Sequence, residues 1–331
     1  MKHFKRESVS LPFGVSYGKI ESKEVYITML NFQKLTPADR GRYDKLLFAS
    51  PTRGCEYSFA NLFLWGRQLA CFTQENAALF AHFYGKSVYP YPVGPGDKRQ
   101  LILDLLRDSR KRGIPLRMTG MLEQEVRQLE SWFPGDFYIQ IDRDSFDYVY
   151  DINDLADLKG RKYQKKRNHV NRFQAEHPDY RVEPLTACNL GRVQNMVNDW
   201  YQIRMRQDPE GNYLLENLAL AKAFRHFEEL DMEGLVLLDG DNVLAMTMAS
   251  RMGGDTFDVH FEKAREDVEG AYSVINQEFA RYLRQKHPEV KYLNREDDMG
   301  LEGLRKAKLS YHPHHMVEKY RVCYQGDLHD D

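Results

Sequence analysis

The segment 256–263 concentrates side chains that could do acid–base chemistry. Its apolar residues alternate with polar ones, and successive side chains of a β-strand point to opposite faces of the sheet. Asp258, His260 and Glu262 are therefore expected to share one face of this strand. Carboxylates and imidazole are common proton carriers in enzymes, and three such groups on one face are costly unless they face a cleft. The alternative is an edge strand with a solvated polar face.

A second polar group follows the predicted strand at 290–294. Asn294, Glu296 and Asp297 lie where this strand ends. Open α/β sheets bind ligands at the carboxyl ends of their strands, so these side chains are candidates for substrate contact. Glu296 and Asp297 could act as a base, could bind an amine, or could form a solvated turn.

The loop between these strands leads into a predicted helix. Free N–H groups at a helix start can bind an anion, and Gly270 would allow close backbone approach. Glu266, Asp267 and Glu269 would repel a pyrophosphate, however. The alternative is a simple acidic helix start, which the helix dipole favours.

A basic run at 159–172 is the third candidate for ligand contact. Seven Lys and Arg residues fall within 14 positions of a chain whose net charge is -2. This density favours contact with phosphates of RNA, of a phospholipid head group or of a phosphorylated cofactor. The alternative is a solvated charged face. The residues expected to make the contacts are Lys162, Lys165, Lys166, Arg167 and Asn168.

Composition limits the class of protein that can carry these groups. The chain has 331 residues, 42% of them hydrophobic and 29% charged, which is typical of a soluble globular protein of about two domains. A disordered or collagen-like chain is excluded. The near-zero net charge argues against a uniformly basic nucleic-acid binder and leaves a local basic patch possible.

Cysteine spacing and hydropathy predict a cytosolic location. Cys55, Cys71, Cys188 and Cys323 are widely separated, which favours reduced thiols, and no metal site is expected. The N-terminus lacks the apolar region of a signal peptide. No apolar run approaches the roughly 20 residues of a membrane span, so any membrane contact is expected to be peripheral.

The elements that must position these groups alternate between helix and strand. The N-terminal half predicts strands at 23–30, 77–84, 116–119, 137–141 and 148–150 and helices at 99–112 and 122–132. The C-terminal half predicts strands at 180–182, 234–238, 243–250, 256–263, 290–294 and 316–324 and helices at 155–177, 218–230, 269–286 and 301–309. This order predicts a mixed α/β fold in which one βαβ step supplies a parallel strand pair.

A short echo between the halves indicates an internal duplication. Leu35-Thr36 precedes Gly41-Arg42, and Leu185-Thr186 precedes Gly191-Arg192, with an offset of 150 residues. Each Thr is expected to cap a helix by accepting from N–H groups of its first turn. An offset of nearly half the chain predicts a tandem repeat, although a short echo can also arise by chance.

Three motifs resemble those of the C-terminal domain of phosphatidylglycerol lysyltransferase. The first is Lys-Tyr-x-x-Lys-Arg-Asn-His-x-Asn-x-Phe at 162–173. The second joins His-Phe-Glu-Lys-Ala at 260–264 to Gly-Ala-Tyr at 270–272 and Ile-Asn-Gln-Glu-Phe at 275–279. The third joins Asn-Arg-Glu-Asp-Asp at 294–298 to Gly-Leu-Arg-Lys-Ala-Lys at 303–308 and Ser-Tyr at 310–311.

The resemblance covers about residues 25 to 322 and implies two GNAT-like domains in tandem, an α/β (α+β) fold. The expected division is an arm at 1–22, an N-terminal domain at 23–151 and a C-terminal domain at 152–331 that holds the active site. The implied activity is transfer of an activated acyl group to an amine or hydroxyl acceptor, namely a small molecule, a lipid head group or a peptide. The implied donor is aminoacyl-tRNA, or alternatively an acyl-CoA. A non-catalytic module that binds an acidic ligand is the rival interpretation.

The resemblance also suggests roles for individual residues. Glu262, with His260 next in line, is the expected base, and Tyr311 is expected to protonate the leaving group. The basic run at 162–168 is expected to contact donor phosphates, most readily those of tRNA. The other expected substrate or donor contacts are Asp258, Gly270, Tyr272, Asn276, Asn294, Glu296, Asp297 and Lys308.

Overall fold

The computed structural model describes residues 29–50, 54–66, 69–73, 76–83, 87–208 and 213–326. Its α-helices are α1 (Arg40–Phe48), α2 (Phe59–Trp65), α3 (Lys98–Lys111), α4 (Glu123–Trp132), α5 (Ile152–Asp157), α6 (Gln164–Glu176), α7 (Leu190–Gln207), α8 (Tyr213–Arg225), α9 (Ala271–Lys286) and α10 (Glu302–Leu309). The predicted arm at 1–22, and all but the last two residues of the predicted strand at 23–30, lie outside the described residues.

The strands fall into two groups along the chain. The first group is β1 (Gln33–Lys34), β2 (Leu69–Phe72), β3 (Ala78–Ala81), β4 (Tyr89–Pro90), β5 (Arg117–Met121), β6 (Phe137–Ile141) and β7 (Asp147–Asp151). The second group is β8 (Arg181–Pro184), β9 (Glu233–Asp239), β10 (Asn242–Arg251), β11 (Thr256–Ala264), β12 (Tyr292–Asn294), β13 (His315–Val317) and β14 (Tyr320–Tyr324).

A seven-stranded sheet in the order β13-β7-β12-β11-β10-β9-β8 organises the C-terminal half. The strands β11 and β12 run parallel, joined by α9, and every other neighbouring pair in this sheet is antiparallel. The predicted βαβ step and the mixed α/β class are therefore confirmed. The pairing of Asp258 with Asn294 is the last in the parallel register, and β11 continues beyond it. The pairing of the two strands ends at this point.

The N-terminal half repeats this arrangement in smaller sheets. One sheet has the order β1-β2-β3 and the other has the order β4-β5-β14-β6. Isolated bridges from Ala78 to Val93 and from His82 to Val88 connect β3 to the segment around β4. The β4–β5 pair is parallel, as β11–β12 is. Both halves thus place four largely antiparallel strands beside one parallel neighbour.

One strand from each half completes the sheet of the other half. The strand β7 follows the N-terminal elements in sequence but lies between β12 and β13. The strand β14 ends the C-terminal elements but lies between β5 and β6. The sheets therefore cross the predicted boundary at 151, and separating the halves there would remove a strand from the interior of each sheet.

The sequence echo corresponds to equivalent places in the two halves. Thr36 follows β1 and precedes α1, and Thr186 follows β8 and precedes α7. The capping bonds differ from the prediction. The backbone N–H of Thr36 donates to Asp39 Oδ2, and that of Thr186 donates to Asn189 Oδ1, each over 2.8 Å. The side chain three residues after the Thr is the acceptor in both copies.

Two predicted elements are interrupted. The predicted basic helix at 155–177 is divided into α5 and α6, because Leu158 and Gly160 take positive φ values of 48° and 87° that end the first helix. The predicted strand at 316–324 is divided into β13 and β14, which join different sheets. The chain passes from one half to the other between these two strands.

Candidate active site

A β-bulge at His260 changes the predicted alternation of β11. Met248 of β10 pairs with Phe261 and Ala249 pairs with Val259, so His260 has no counterpart on β10. A bulge adds one residue and re-aims the side chains that follow it. Val259 packs in the core on the α9 side of the sheet, whereas Phe261 packs in the core on the opposite side. The expectation that the three polar residues share a face is therefore wrong.

Glu262 lies on the α9 side of the sheet and is held by two hydrogen bonds. Its Oε1 accepts from Arg295 Nη2 over 2.8 Å, and its Oε2 accepts from Asn276 Nδ2 over 3.3 Å. Arg295 follows β12 directly, and Asn276 projects from α9. The side chains of Glu262 and Arg295 are 11% and 14% exposed, so this ion pair is largely shielded from water.

Lys166 and Tyr311 extend this ion pair. The Lys166 ammonium lies 3.7 Å from the centre of the Tyr311 ring, and the Arg295 guanidinium lies 5.0 Å from the same centre. Burial and, to a lesser extent, the nearby Arg295 lower the pKa of Lys166 to about 8, with Glu262 opposing the shift. Glu262, Arg295, Asn276, Lys166 and Tyr311 are called the Glu262 cluster below.

The Tyr311 hydroxyl keeps its proton in this setting. Burial raises the pKa of Tyr311, with Arg295 opposing and Glu262 adding to the shift. Its hydroxyl lies 3.5 Å from Ser273 Oγ, and its backbone carbonyl accepts from the Tyr163 hydroxyl over 3.0 Å. The segment after α10 is thus fastened to the start of α6, which brings Tyr311 and Lys166 together.

Asp258 and His260 lie in a separate cluster on the other side of the sheet. His260 Nδ1 lies 3.2 Å from Glu296 Oε1 and 3.5 Å from Asp258 Oδ2, and its Nε2 lies 2.8 Å from Ser250 Oγ. Asn61 Nδ2 of α2 donates to Glu296 Oε1 over 3.2 Å. Asp258, His260, Glu296, Ser250 and Asn61 are called the His260 cluster. His260 does not form a relay with Glu262.

The chain turns sharply after β12, and this turn separates Arg295 from Glu296. Glu296 has a φ of 57°, which is uncommon for a residue other than glycine. Asn294 stabilises the turn, because its Oδ1 accepts from the Glu296 N–H over 2.8 Å while its Nδ2 donates to Asp147 Oδ2 over 2.9 Å. Asn294 is fully buried, so the structure gives it a positioning role.

Lys308 and Asp297 lie beside the same turn. The Lys308 ammonium is buried and donates to the backbone carbonyls of Arg295 and Asp297. Burial lowers its pKa. Asp297 lines a cavity of about 510 Å³ together with Lys319, and burial raises the pKa of Asp297 to about 7. Lys308, a predicted substrate contact, therefore stabilises the loop that follows β12 through hydrogen bonds to its backbone.

Acidic residues neutralise much of the basic run. Lys162 pairs with Asp154 over 2.9 Å, and Arg167 donates to the backbone carbonyls of Leu158 and Gly160. Lys165 and Asn168 are exposed, whereas Lys166 turns toward Glu262. The five predicted phosphate contacts therefore do not form one surface.

Gly270 and Tyr272 lie at the start of α9. Gly270 has a φ of 85°, and a Cβ there would lie 2.5 Å from the backbone oxygen of His169. The glycine thus allows α6 to pack against the beginning of α9. Tyr272 is 38% exposed, and burial of its hydroxyl raises its pKa to about 12. It lies one turn before Asn276, beside the Glu262 cluster.

A larger cavity of about 910 Å³ lies outside both clusters. It runs between α7 and the loop that connects β11 to α9. Arg192, Arg206 and Arg265 line it, but Asp199, Asp241, Glu266 and Asp267 do so as well. The mixed charge agrees with the expected repulsion of a pyrophosphate by this loop.

Arg295, Ser250 and Asn61 contact the candidates directly and were not among the predicted site residues. Arg295 has the clearest signal, because it lies between two chosen residues, Asn294 and Glu296. Asn61 comes from α2, far away in sequence, and no spacing rule connects it to His260. Ser250 lies on β10, the strand that precedes and pairs with β11, so the predicted strand order held a signal for it.

Comparison with known proteins identifies the family. Residues 48–323 match the family model described as "Phosphatidylglycerol lysyltransferase, C-terminal". A conserved protein of unknown function from Bacteroides thetaiotaomicron is 35% identical, with a TM-score of 0.85 over 90% of this chain and 100% of that chain.

Two more distant structures show the same fold. L-PGS from Bacillus licheniformis is 12% identical, with a TM-score of 0.62 over 89% of this chain and 94% of that chain. A C-terminal domain assigned to a lysylphosphatidylglycerol synthetase of Agrobacterium fabrum is 13% identical, with a TM-score of 0.61 over 88% and 93%.

A curated relative, an uncharacterised protein of Mycoplasmoides gallisepticum, is 25% identical over 197 residues. The match covers 58% of this chain and 60% of that protein, so the chain spans about three fifths of its length. Across the part of the chain that the structure describes, no helix has the length and apolar character needed to cross a membrane. The chain belongs to the family of phosphatidylglycerol lysyltransferase C-terminal domains, and its mixed α/β fold is shared with both distant structures.

Proposed function

We propose that the protein transfers an activated acyl group to an amine or hydroxyl acceptor at the Glu262 cluster. One observation carries this proposal: residues from all three sequence motifs meet where β11 and β12 part. Lys166 comes from the first motif, Glu262 from the second, and Arg295 and Tyr311 from the third. Substrate-binding crevices of open α/β sheets lie at the carboxyl ends of such strands.

Glu262 is the proposed proton acceptor. An amine or hydroxyl must lose a proton as it attacks an ester carbonyl, and a carboxylate within hydrogen-bond reach can take it. Arg295 and Asn276 each donate to one Glu262 oxygen and fix the direction of the carboxylate. Each oxygen keeps a second lone pair for the acceptor.

Lys166 is the proposed partner of the developing negative charge on the carbonyl oxygen. A cation in a shielded site stabilises an oxyanion more strongly than one in water. With a pKa of about 8, Lys166 is mostly protonated at neutral pH and can do this. Tyr311, whose raised pKa keeps the phenol protonated, is the proposed proton donor to the leaving group.

The proposed donor is an aminoacyl-tRNA, with acyl-CoA as the alternative. The matched family is described by lysyl transfer to phosphatidylglycerol, which favours an aminoacyl donor and keeps a lipid head group among the acceptors. Because Lys162 and Arg167 already have partners, the basic run offers tRNA few free charges. We therefore expect a shallow dependence of tRNA affinity on salt, with a slope of about one or two phosphate contacts rather than five.

The test is acyl loss from radiolabelled charged tRNAs and, separately, from acyl-CoAs, each with candidate acceptors. The matched control is Glu262→Gln, which keeps the shape of the side chain and one acceptor oxygen. Acyl loss by the wild type above that of Glu262→Gln supports transfer. If no donor loses its acyl group faster with the wild type than with Glu262→Gln, the proposed catalytic role of Glu262 fails.

Two further measurements separate the alternatives. An acyl-CoA donor would raise the melting temperature of the protein, because a ligand that binds only the folded state stabilises it. A non-catalytic binding module would tolerate Glu262→Gln, so a deletion strain would be fully rescued by that variant. Failed rescue by a folded variant supports the enzyme.

A further inference from the structure

We propose that Asp258, His260 and Glu296 bind a divalent transition-metal ion of the zinc class. One ligand atom from each residue lies within 4.8 Å of the other two. His260 Nδ1 is 3.2 Å from Glu296 Oε1 and 3.5 Å from Asp258 Oδ2. Ligand atoms about 2.0–2.2 Å from a tetrahedral zinc ion are about 3.4 Å apart, so these two separations fit with little movement.

Asp258 is the independent observation that points to a cation. The side chain is 0% exposed, and among the described residues neither carboxylate oxygen has a hydrogen-bond partner within bonding geometry. A bare buried carboxylate is costly, and a bound cation is one of the ways in which proteins compensate for it.

The surrounding groups orient these ligands as they do around known metals. A metal-bound histidine usually donates its other ring N–H to a nearby acceptor. Here His260 Nε2 is 2.8 Å from Ser250 Oγ, so the hydroxyl can accept that proton and leave the Nδ1 lone pair facing the two carboxylates. Asn61 Nδ2 donates to Glu296 Oε1 and orients the third ligand. Nitrogen and oxygen ligands of this kind suit zinc.

A second cluster with metal-ligand residues supplies the contrast. Cys55, Glu56 and Asp147 also lie within reach of one another. There the Lys319 ammonium already occupies the centre, 2.6 Å from Asp147 Oδ1 and 3.6 Å from Cys55 Sγ. The charge of that cluster is therefore compensated by the chain itself. In the His260 cluster no ammonium or guanidinium makes an equivalent contact among the hydrogen bonds of the described residues.

The contacts that link Ser250 to His260 and His260 to Glu296 also resemble those of a nucleophile, a base and an orienting acid. Ser250 is 4% exposed and the His260 side chain is 2% exposed. Ser250 lies outside the three motifs, and His260 Nδ1 faces two carboxylates, which favours a bound cation over a nucleophilic role for Ser250. The metal site is separate from the proposed transfer reaction, because Glu262 lies on the other side of the sheet.

The experiment adds Zn²⁺ to full-length protein stripped with a chelator, and measures binding by calorimetry together with the melting temperature. We expect one zinc per chain and a rise in melting temperature. His260→Gln and Asp258→Asn should weaken zinc binding at least tenfold. Cys55→Ser should bind zinc as the wild type does.

Three results would overturn the metal-site proposal. Absence of saturable zinc binding to the wild type overturns the proposal, and so does wild-type zinc affinity in both His260→Gln and Asp258→Asn. Loss of zinc binding in Cys55→Ser would place the zinc site among Cys55, Glu56 and Asp147, and this result would also overturn the proposal. None of these measurements uses an acyl donor, so failure of the metal site and failure of the transfer reaction are distinguishable.

Discussion

The two halves differ at the place where their parallel strand pairs, β4–β5 and β11–β12, end. In the N-terminal half, the Tyr57 hydroxyl closes the gap beyond the parallel strands β4 and β5. It accepts from the Tyr91 N–H over 2.9 Å and lies 3.1 Å from the Thr119 carbonyl oxygen, to which it can donate. In the C-terminal half, the gap beyond β11 and β12 contains the charged pair of Glu262 and Arg295. One neutral side chain joins the backbones in the first case, and ionised groups line the space in the second.

This contrast indicates what a duplication can preserve and what it can change. Both halves keep the parallel pair, the preceding antiparallel strands and the exchanged strand beside them. The frame depends on backbone hydrogen bonds and on apolar packing, which many sequences satisfy. A reactive site requires particular groups in a particular arrangement, and the ion pair of Glu262 and Arg295 lies beyond β11 and β12, where the N-terminal half has the Tyr57 hydroxyl.

The largest expected effect compares Glu262→Gln with Tyr91→Phe. Glu262→Gln should lower the rate of acyl transfer by about 10²–10⁴-fold, because an amide cannot accept the proton of the acceptor. Tyr91 lies at the corresponding place in the N-terminal half, and among the described residues its buried hydroxyl has no hydrogen-bond partner. Its removal should leave the rate within twofold. Equal losses in the two variants would contradict the assignment of chemistry to one half.

Two buried lysines allow the same comparison for stability. Lys319 reaches two carboxylates in the N-terminal half, whereas Lys308 donates to backbone carbonyls of the C-terminal loop. Lys319→Met leaves Glu56 and Asp147 without their cation and should lower the free energy of unfolding by about 3–5 kcal/mol. Lys308→Met should cost about 1–3 kcal/mol, because neutral acceptors lose their donor.

Urea titration of both lysine variants gives these free energies. The order of the two losses in free energy matters more than their absolute values, because both variants make the same substitution and each removes one ammonium group. A larger loss for Lys308→Met than for Lys319→Met would mean that the loop beside Glu262, and not the carboxylate pair, limits stability.

The pH dependence of transfer should report on Lys166. Its protonated form is the proposed active one, and its pKa is about 8. Activity should therefore fall about tenfold per pH unit above this value. Lys166→Arg should move the fall to higher pH, because arginine stays protonated. The background hydrolysis of the donor, measured with Glu262→Gln at each pH, is subtracted.

A wild-type profile that stays flat to pH 10 would contradict the role of Lys166. A fall that persists at the same pH in Lys166→Arg would assign the titration to another group. Tyr311→Phe in the same series tests the phenol without removing the ring that contacts Lys166.

Periodicity predicted the frame well because strands and helices follow local rules. The strands β6 and β11, the hairpin of β9 and β10, and the helix α9 all lie close to their predicted ranges. The βαβ step followed from the order of these elements alone. The strands that exchange between the halves did not, since their pairing depends on partners far away in the chain.

The bulge at His260 explains most of what the sequence could not predict about the site. Strict alternation places Asp258 and Glu262 on one face, and a single inserted residue puts them on opposite faces. The partners of the basic run could not be predicted for a related reason. Its charge density is a local property, but the acids that neutralise it, such as Glu269 and Asp154, come from other elements.

The smallest expected effect tests the duplication through two equivalent glycines. Gly41 and Gly191 are the second residues of α1 and α7, and a Cβ at either position would have no atom within 4 Å. Alanine restricts the unfolded chain and favours the helix, so each substitution should raise the free energy of unfolding by about 0.4–1 kcal/mol. Gly270→Ala is the contrasting variant, because its Cβ would meet the His169 carbonyl and its φ is positive. It should be destabilising. Calorimetric melting of the three variants decides the matter: stabilisation at one of the paired glycines and destabilisation at the other would show that the two helix starts are not equivalent.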